Sequence, residues 1–176
     1  MIGLVMSVSP SGGVGKNNKL LYHNVEDMKL FRENTKGNVV VMGRATWDSL
    51  PKKPLSDRTN VVVTSKPPLD ALKYENTYFI TLKECDKLVE NCSTILKQTD
   101  LYIIGGAMMV KRYKDKLDFM YISHFKEDKE ADTFIPQLSM KDFYVTYEED
   151  KGEFVYKEYE KLDDLTIKAS KILHGD

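Results

Sequence analysis

The chain has 176 residues, 41% of them hydrophobic, enough for one domain with a real core and too apolar for a disordered segment. Lysine and arginine number 26 against 27 aspartates and glutamates, a formal net charge of -1, so no overall basic field recommends a nucleic acid and any cationic site must be local. No apolar run approaches the length of a membrane span, and the start (MIGLVM) lacks the basic flank of a signal peptide, which points to a cytosolic protein.

Strand and helix signals alternate along the first two thirds. Ile2–Val8 reads as a strand, followed by a Gly- and Asn-rich loop, Ser9–Asn18. Val25–Thr35 reads as a helix that Asn24 caps. Val39, Val40, Val41 and Met42 form an apolar run too short for a helix and rich in β-branched residues, hence a buried strand. It passes through Gly43 and Arg44 into a short helix that Pro51 stops. Asn60–Thr64 is a further buried strand, Thr77–Ile80 a short one, and Leu82–Leu96 a helix. Leu101–Ile104 is a strand running into Gly105 and Gly106, with a helix over Ala107–Tyr113 and a long strand over Leu117–Phe125.

Phe143–Tyr147 and Phe154–Tyr159 then alternate apolar and polar residues around Gly152, the pattern of an antiparallel hairpin. The order implies an α/β fold, a mainly parallel sheet with an antiparallel edge. Residues 1–161 read as one domain. Residues 162–176 read as an extension in which Leu162, Leu165, Ala169, Ile172 and Leu173 recur at helical steps, a short amphipathic helix. Cys85 and Cys92 lie too far apart along their helix to bridge easily, and no His or Cys companions at ligand spacing offer a metal site; both are expected as reduced thiols.

Two strands that end in glycine and continue as helices carry the first chemical signal. Each leaves free N–H groups at a helix start, and two such termini suit a pyrophosphate, with Arg44 beside one of them. This is not the GxGxxG fingerprint, so a standard Rossmann domain is not indicated. Thr64, Ser65 and Lys66 end a third strand, and two hydroxyls with an ammonium suit a phosphate monoester. Asp27 borders the apolar face of its helix, though its place three residues after Asn24 resembles a capping box, which this segment alone favours. Trp47 reads as core. The scattered His23, His124 and His174 supply no nucleophile setting, so a bound redox cofactor is expected to carry the chemistry.

In this order and spacing, Gly13–Leu20 (GVGKNNKL), Glu26–Phe31 (EDMKLF) through Thr35, Val40–Pro51 (VVMGRATWDSLP), Leu55–Arg58 (LSDR), Asn60–Thr64 (NVVVT), Ile103–Gly106 (IIGG) and Ala131–Thr133 (ADT) resemble dihydrofolate reductase. The resemblance spans Ile2 to about Glu160. It implies a mixed sheet of eight strands and NADPH as cofactor, held at Ser7, Val14, Gly15, Asn18, Gly43, Arg44, Ala45, Thr46, Thr64, Ser65, Lys66, Ile104, Gly105, Gly106, Ala107, Met108 and Met109. The Gly105–Gly106 peptide is cis in this family, and Lys16–Leu20 would form a lid.

For the substrate, dihydrofolate, the resemblance implies a pocket of Val5, Met6, Leu20, Asp27, Met28, Phe31, Leu50, Leu55, Arg58, Ile104 and Ser123. Asp27 would hold the pterin, Arg58 the α-carboxylate of the glutamate, and Tyr22, Leu20 and Ser123 would assist catalysis. A monomer is expected, with no nucleic-acid or membrane partner.

Departures from the family pattern are Leu21 and Tyr22 for Pro-Trp, Val110 for a tyrosine, Ser123 for a threonine and Met108 for a basic residue. In this reading Tyr22 keeps an aromatic body and a polar tip able to hold a water near the substrate. Two other readings stay open: a folate- or NADPH-binding protein with little catalysis, and a reductase of a related pterin or pyrimidine.

Overall fold

A central strand with both faces buried organises the molecule, whose computed structural model describes residues 1–175. In chain order the elements are β1 (Ile2–Val8), β2 (Gly13–Lys16), β3 (Lys19–Leu20), α1 (Val25–Thr35), β4 (Val39–Gly43), α2 (Arg44–Ser49), β5 (Thr59–Val63) and β6 (Thr77–Ile80). There follow α3 (Leu82–Glu90), α4 (Cys92–Ile95), β7 (Leu101–Gly105), α5 (Ala107–Tyr113), β8 (Phe119–Phe125), β9 (Thr133–Phe134), β10 (Phe143–Asp150), β11 (Phe154–Lys161) and α6 (Asp164–His174).

The main sheet has eight strands in the order β10-β11-β8-β1-β7-β4-β5-β6. Pairings from β8 across to β6 are parallel; β11 joins β8, and β10 joins β11, antiparallel. Side chains alternate between two cores, as the pleat requires. Leu4, Val41 and Ile103 enter one core with Val89 of α3 and Met109 and Val110 of α5. Val5, Val40, Met42 and Val62 enter the other with Trp47 of α2, and Phe31 of α1 packs against them. Burial on both faces explains why β4 and β5 read as unbroken apolar runs. Trp47 is core as expected, 2% exposed, with Tyr74 and Phe79 edge-on at 5.0 and 5.4 Å.

Several elements differ from expectation. The Ser9–Asn18 stretch is not all loop: β2 and β3 form a hairpin that β9 completes as a three-stranded sheet. Asn17 and Asn18 turn it at φ 53 and 58, the left-handed geometry that asparagine tolerates and tight hairpins need. The Leu82–Leu96 helix is two, α3 and α4, interrupted at Asn91 with ψ 17; the capping box of Thr81 and Glu84 opens the first. Both Gly105–Gly106 and Lys53–Pro54 are cis, the second unanticipated. The cysteines are free and buried, and burial pushes both thiols up.

In the extension, Asp163 caps α6 by accepting from the Thr166 N–H at 2.6 Å, and Ile172 and Leu173 stand exposed. The side chain of Leu165 lies outside the described residues. No helix among the described residues is long and apolar enough to cross a membrane.

Candidate functional site

Asp27 is fixed from two directions. The Asn24 side chain accepts from the Asp27 N–H at 3.0 Å, so the helix cap forms as expected. The Asp27 carboxylate does not return to the cap, and the capping box is therefore only half made. Its Oδ2 instead accepts from the Ser7 hydroxyl and its Oδ1 from the Ser123 hydroxyl, each at 2.6 Å. Ser7 and Ser123 are register partners on β1 and β8, which places both hydroxyls under the first turn of α1.

Beside this carboxylate lies an apolar wall. Phe31, Leu50, Leu55 and Ile104 are partly buried side chains packed against the core that contains Val5, so five expected pocket residues meet in one cluster. Leu20 and Met28 stand more open, 64% and 57% exposed. Met6 is the exception: alternation along β1 turns its side chain to the opposite core, with Leu4 and Val8, away from the face of Val5 and Ser7.

Arg58 is 7% exposed yet has no carboxylate within ion-pair distance among the described residues. Its Nε donates to the Ser56 carbonyl at 2.8 Å and an Nη to Thr35 Oγ1 at 3.1 Å, and its guanidinium lies 5.5 Å from the Phe31 ring centroid. Burial pushes its pKa down, with Arg32 adding to the effect. Two fully buried side chains hold it there. Thr35 is anchored to the Phe31 carbonyl at 2.7 Å, and Asn60 ties the 55–58 loop through Leu55 and the Arg58 carbonyl. Sequence reasoning assigned neither residue, although a buried polar side chain in an apolar strand always requires partners.

At the carboxyl ends of β7, β4 and β5, neighbours in the sheet, the glycine and hydroxyl residues converge. A bulge between β4 and β7 pairs Met42 with Gly105 and skips Ile104. Gly105 adopts φ +140, and a Cβ there would stand 3.0 Å from Thr46 Oγ1; a Cβ on Gly43 would meet the Gly106 nitrogen at 3.8 Å. Neither Gly43 nor Gly106 caps its helix with a side chain, so the first N–H groups of α2 and α5 stay open. Arg44 reaches the third strand end by donating to the Lys66 carbonyl, and its Nε pairs with Asp48 at 3.0 Å. The Thr64 hydroxyl accepts from the Lys66 N–H at 3.1 Å. A glycine cradle, open amides and two cations fit a phosphorylated dinucleotide.

Other expected residues occupy different settings. Tyr22 is buried and stacked on Phe125 at 3.9 Å, and its hydroxyl donates to the Glu127 carbonyl at 2.6 Å, not to the Asp27 pair. Val14 and Met109 are core side chains, and Val110 is buried with them, so near the glycine ends they can offer a ligand little but backbone. Met108 is exposed. Of the Lys16–Leu20 hairpin, Lys16 pairs with Glu130 at 2.7 Å and the Asn17 N–H donates to Asp132. Two surface clefts, about 460 and 570 Å³, one lined by Lys114, Leu138 and Asp142 and the other by Met1, Asp118 and Glu160, include none of the expected pocket residues.

Comparison with known proteins bears on the family and the fold. The chain is 27% identical over 146 residues to a dihydrofolate reductase of Haemophilus influenzae, covering 83% of this chain and 85% of the other. It is 28% identical over 188 residues to a viral dihydrofolate reductase of Saimiriine herpesvirus 2, covering 92% and 85%. A dihydrofolate reductase from Enterococcus faecalis, complexed with NADP(H) and RAB-propyl, superposes with a TM-score of 0.76 at 26% identity, over 93% of this chain and 97% of that one. The family model for dihydrofolate reductase matches residues 1–162, and the chain belongs to that family.

Proposed function

We propose that the protein reduces 7,8-dihydrofolate to 5,6,7,8-tetrahydrofolate with NADPH, by hydride transfer to C6 of the pterin. The observation that carries this reading is the Asp27 carboxylate, held at both oxygens by Ser7 and Ser123 at the head of the apolar wall. An ionised carboxyl has about four acceptor positions, so each oxygen keeps one for the ring N–H and the exocyclic amine of a pterin. Those two hydrogen bonds are charge-assisted and set the ring's register along Phe31, Leu50, Leu55 and Ile104. The negative charge also favours the protonated, more electrophilic ring.

Arg58 lies beyond that wall with part of its fork uncommitted, which suits the α-carboxylate of a glutamate tail. The glycine ends of β4 and β7 would hold NADPH, whose nicotinamide would supply the hydride. Arg44, Thr64, Ser65 and Lys66 would hold its 2′-phosphate, and the open amides of α2 and α5 its pyrophosphate. Leu20 and Met28 would close the mouth of the pocket and exclude water. The proton reaches N5 through solvent, with Asp27 polarising the ring rather than touching N5. The enzyme is proposed to act as a monomer.

Mixing the purified protein with NADPH and dihydrofolate, and following the loss of the reduced nicotinamide absorbance, tests the proposal. Turnover is expected, and Asp27→Asn should lower kcat/KM about 100-fold, the scale of one charge-assisted hydrogen bond to the transition state. Absence of turnover, with thermal stabilisation by both ligands retained, would leave only a binding protein.

A further inference from the structure

We propose that Ser7 is a positioning residue for Asp27, setting the plane in which the carboxylate meets its ligand; this rests on the functional reading above. Ser7 lies on β1, one register step across from Ser123 on β8, and the two hydroxyls take opposite oxygens of one carboxylate at equal distances of 2.6 Å. A carboxylate held at one oxygen still rotates about its Cβ–Cγ bond, because that torsion is broad and two-fold. Held at both, it presents a single edge.

Each serine has one hydroxyl proton, and here both protons point at Asp27. The carboxylate then has no unassigned rotation and one remaining acceptor direction on each oxygen. That arrangement selects a ligand edge carrying two parallel N–H donors and rejects one carrying a donor beside an acceptor, whose lone pair would face the second oxygen. Without Ser7, Ser123 alone would leave Oδ2 to water, and the edge would lose its fixed orientation. While it serves Asp27 the hydroxyl proton is not available to the cofactor, which leaves NADPH only the lone pairs of that oxygen and the backbone of Ser7 to meet.

The test uses the full chain with Ser7→Ala, Ser7→Cys, Ser123→Ala and the double Ser7→Ala/Ser123→Ala variant. Cysteine keeps the approximate size of serine but is a weak donor, which separates a missing hydrogen bond from a poorer fit. Three quantities are read: kcat/KM for dihydrofolate, Kd for 2,4-diaminopyrimidine by calorimetry, and Kd for NADPH. Both Ser7 variants should lose about tenfold in kcat/KM and in diaminopyrimidine affinity, with NADPH affinity within twofold of wild type. Because both hydroxyls act on one carboxylate, the double variant should depart from the product of the single effects. Diaminopyrimidine affinity within twofold of wild type in both Ser7 variants, or an equal loss for NADPH, would overturn the proposal. If the wild type bound diaminopyrimidine in a Ser7-dependent way but reduced no dihydrofolate, the positioning role would stand and the reaction assigned above would fall.

Discussion

The Thr46 hydroxyl fills the space that a side chain on Gly105 would need, since a Cβ at Gly105 would approach Thr46 Oγ1 to 3.0 Å. The two residues come from neighbouring strand ends, so the helix after β4 and the glycine after Ile104 are built against each other. Gly105 also adopts φ +140, which residues with a Cβ rarely occupy. Gly105→Ala should therefore destabilise the fold by about 1–3 kcal/mol and weaken NADPH binding. Denaturant unfolding and a fluorescence titration with NADPH measure the two effects; full affinity in a stably folded Gly105→Ala protein would contradict the close packing.

Arg44 and Asp48 lie one helical turn apart and pair at 3.0 Å on a partly exposed face. A 2′-phosphate arriving at Arg44 competes with this partner. Arg44→Ala should weaken NADPH about tenfold, roughly the worth of one charge-assisted hydrogen bond, and leave NADH nearly unchanged. Asp48→Asn should do the reverse, tightening NADPH a fewfold by releasing the guanidinium. Equal effects of either change on NADPH and NADH would show that the phosphate binds elsewhere.

For the glutamate end of the substrate, Arg58→Lys tests geometry apart from charge. Lysine cannot keep both the Ser56 and Thr35 bonds while presenting a planar fork. KM for dihydrofolate should rise about tenfold or more, while a dihydropterin without the glutamate tail should react as with wild type. Comparable losses with both substrates would place the defect in the fold around Thr35 instead.

Asp86 gives a pH prediction remote from the site. Its carboxyl accepts from Arg112 of α5 at 2.8 and 2.6 Å and from the Tyr113 hydroxyl at 2.7 Å, which lowers its pKa from 3.8 to about 2. A depressed folded-state pKa means stability that is present above pH 4 and lost as pH falls from about 4 to 2. The pair is open to solvent, so the contribution is no more than about 1 kcal/mol. Thermal unfolding of wild type and Asp86→Asn should differ at pH 6 and converge near pH 2. A constant difference across that range would remove the carboxylate from the explanation.

The parallel sheet was legible because its central strands are buried on both faces, which makes β4, β5 and β7 apolar runs bounded by glycine or by turn residues. The β2–β3 hairpin was not. Its strands are short and glycine-rich, and its turn uses two asparagines at positive φ, which in sequence look like the loop residues they also are. The division of α3 from α4 escaped the periodicity because Val89 and Cys92 continue the apolar face across the break at Asn91. Of the candidate site, the glycine ends could be read from their strand-to-helix junctions, whereas the ligand roles expected of Asp27 and Arg58 came from the family resemblance. The supports were not legible: Thr35 and Asn60 act through partners 23 and 5 residues away along the chain, and no local pattern records such partners. Ser7 was expected only as a cofactor contact implied by the resemblance, and its bond to Asp27 was not foreseen, since a hydroxyl on a strand gives no sign of which carboxylate will lie above it.

Alternation along β1 has a consequence for how the chain can change. Leu4 and Val8 serve one core, while Val5 and Ser7 face the Asp27 side. Even-numbered positions therefore answer to one core, while on the odd-numbered face Gly3 and Val5 are packed and Ser7 meets the carboxylate, within a single strand of seven residues. Substitutions at Leu4 and Val8 act on packing, and those at Ser7 act on recognition. An insertion of one residue in this strand acts on both. It would exchange the two sets at once, placing Met6 beneath the carboxylate and a serine in the hydrocarbon interior.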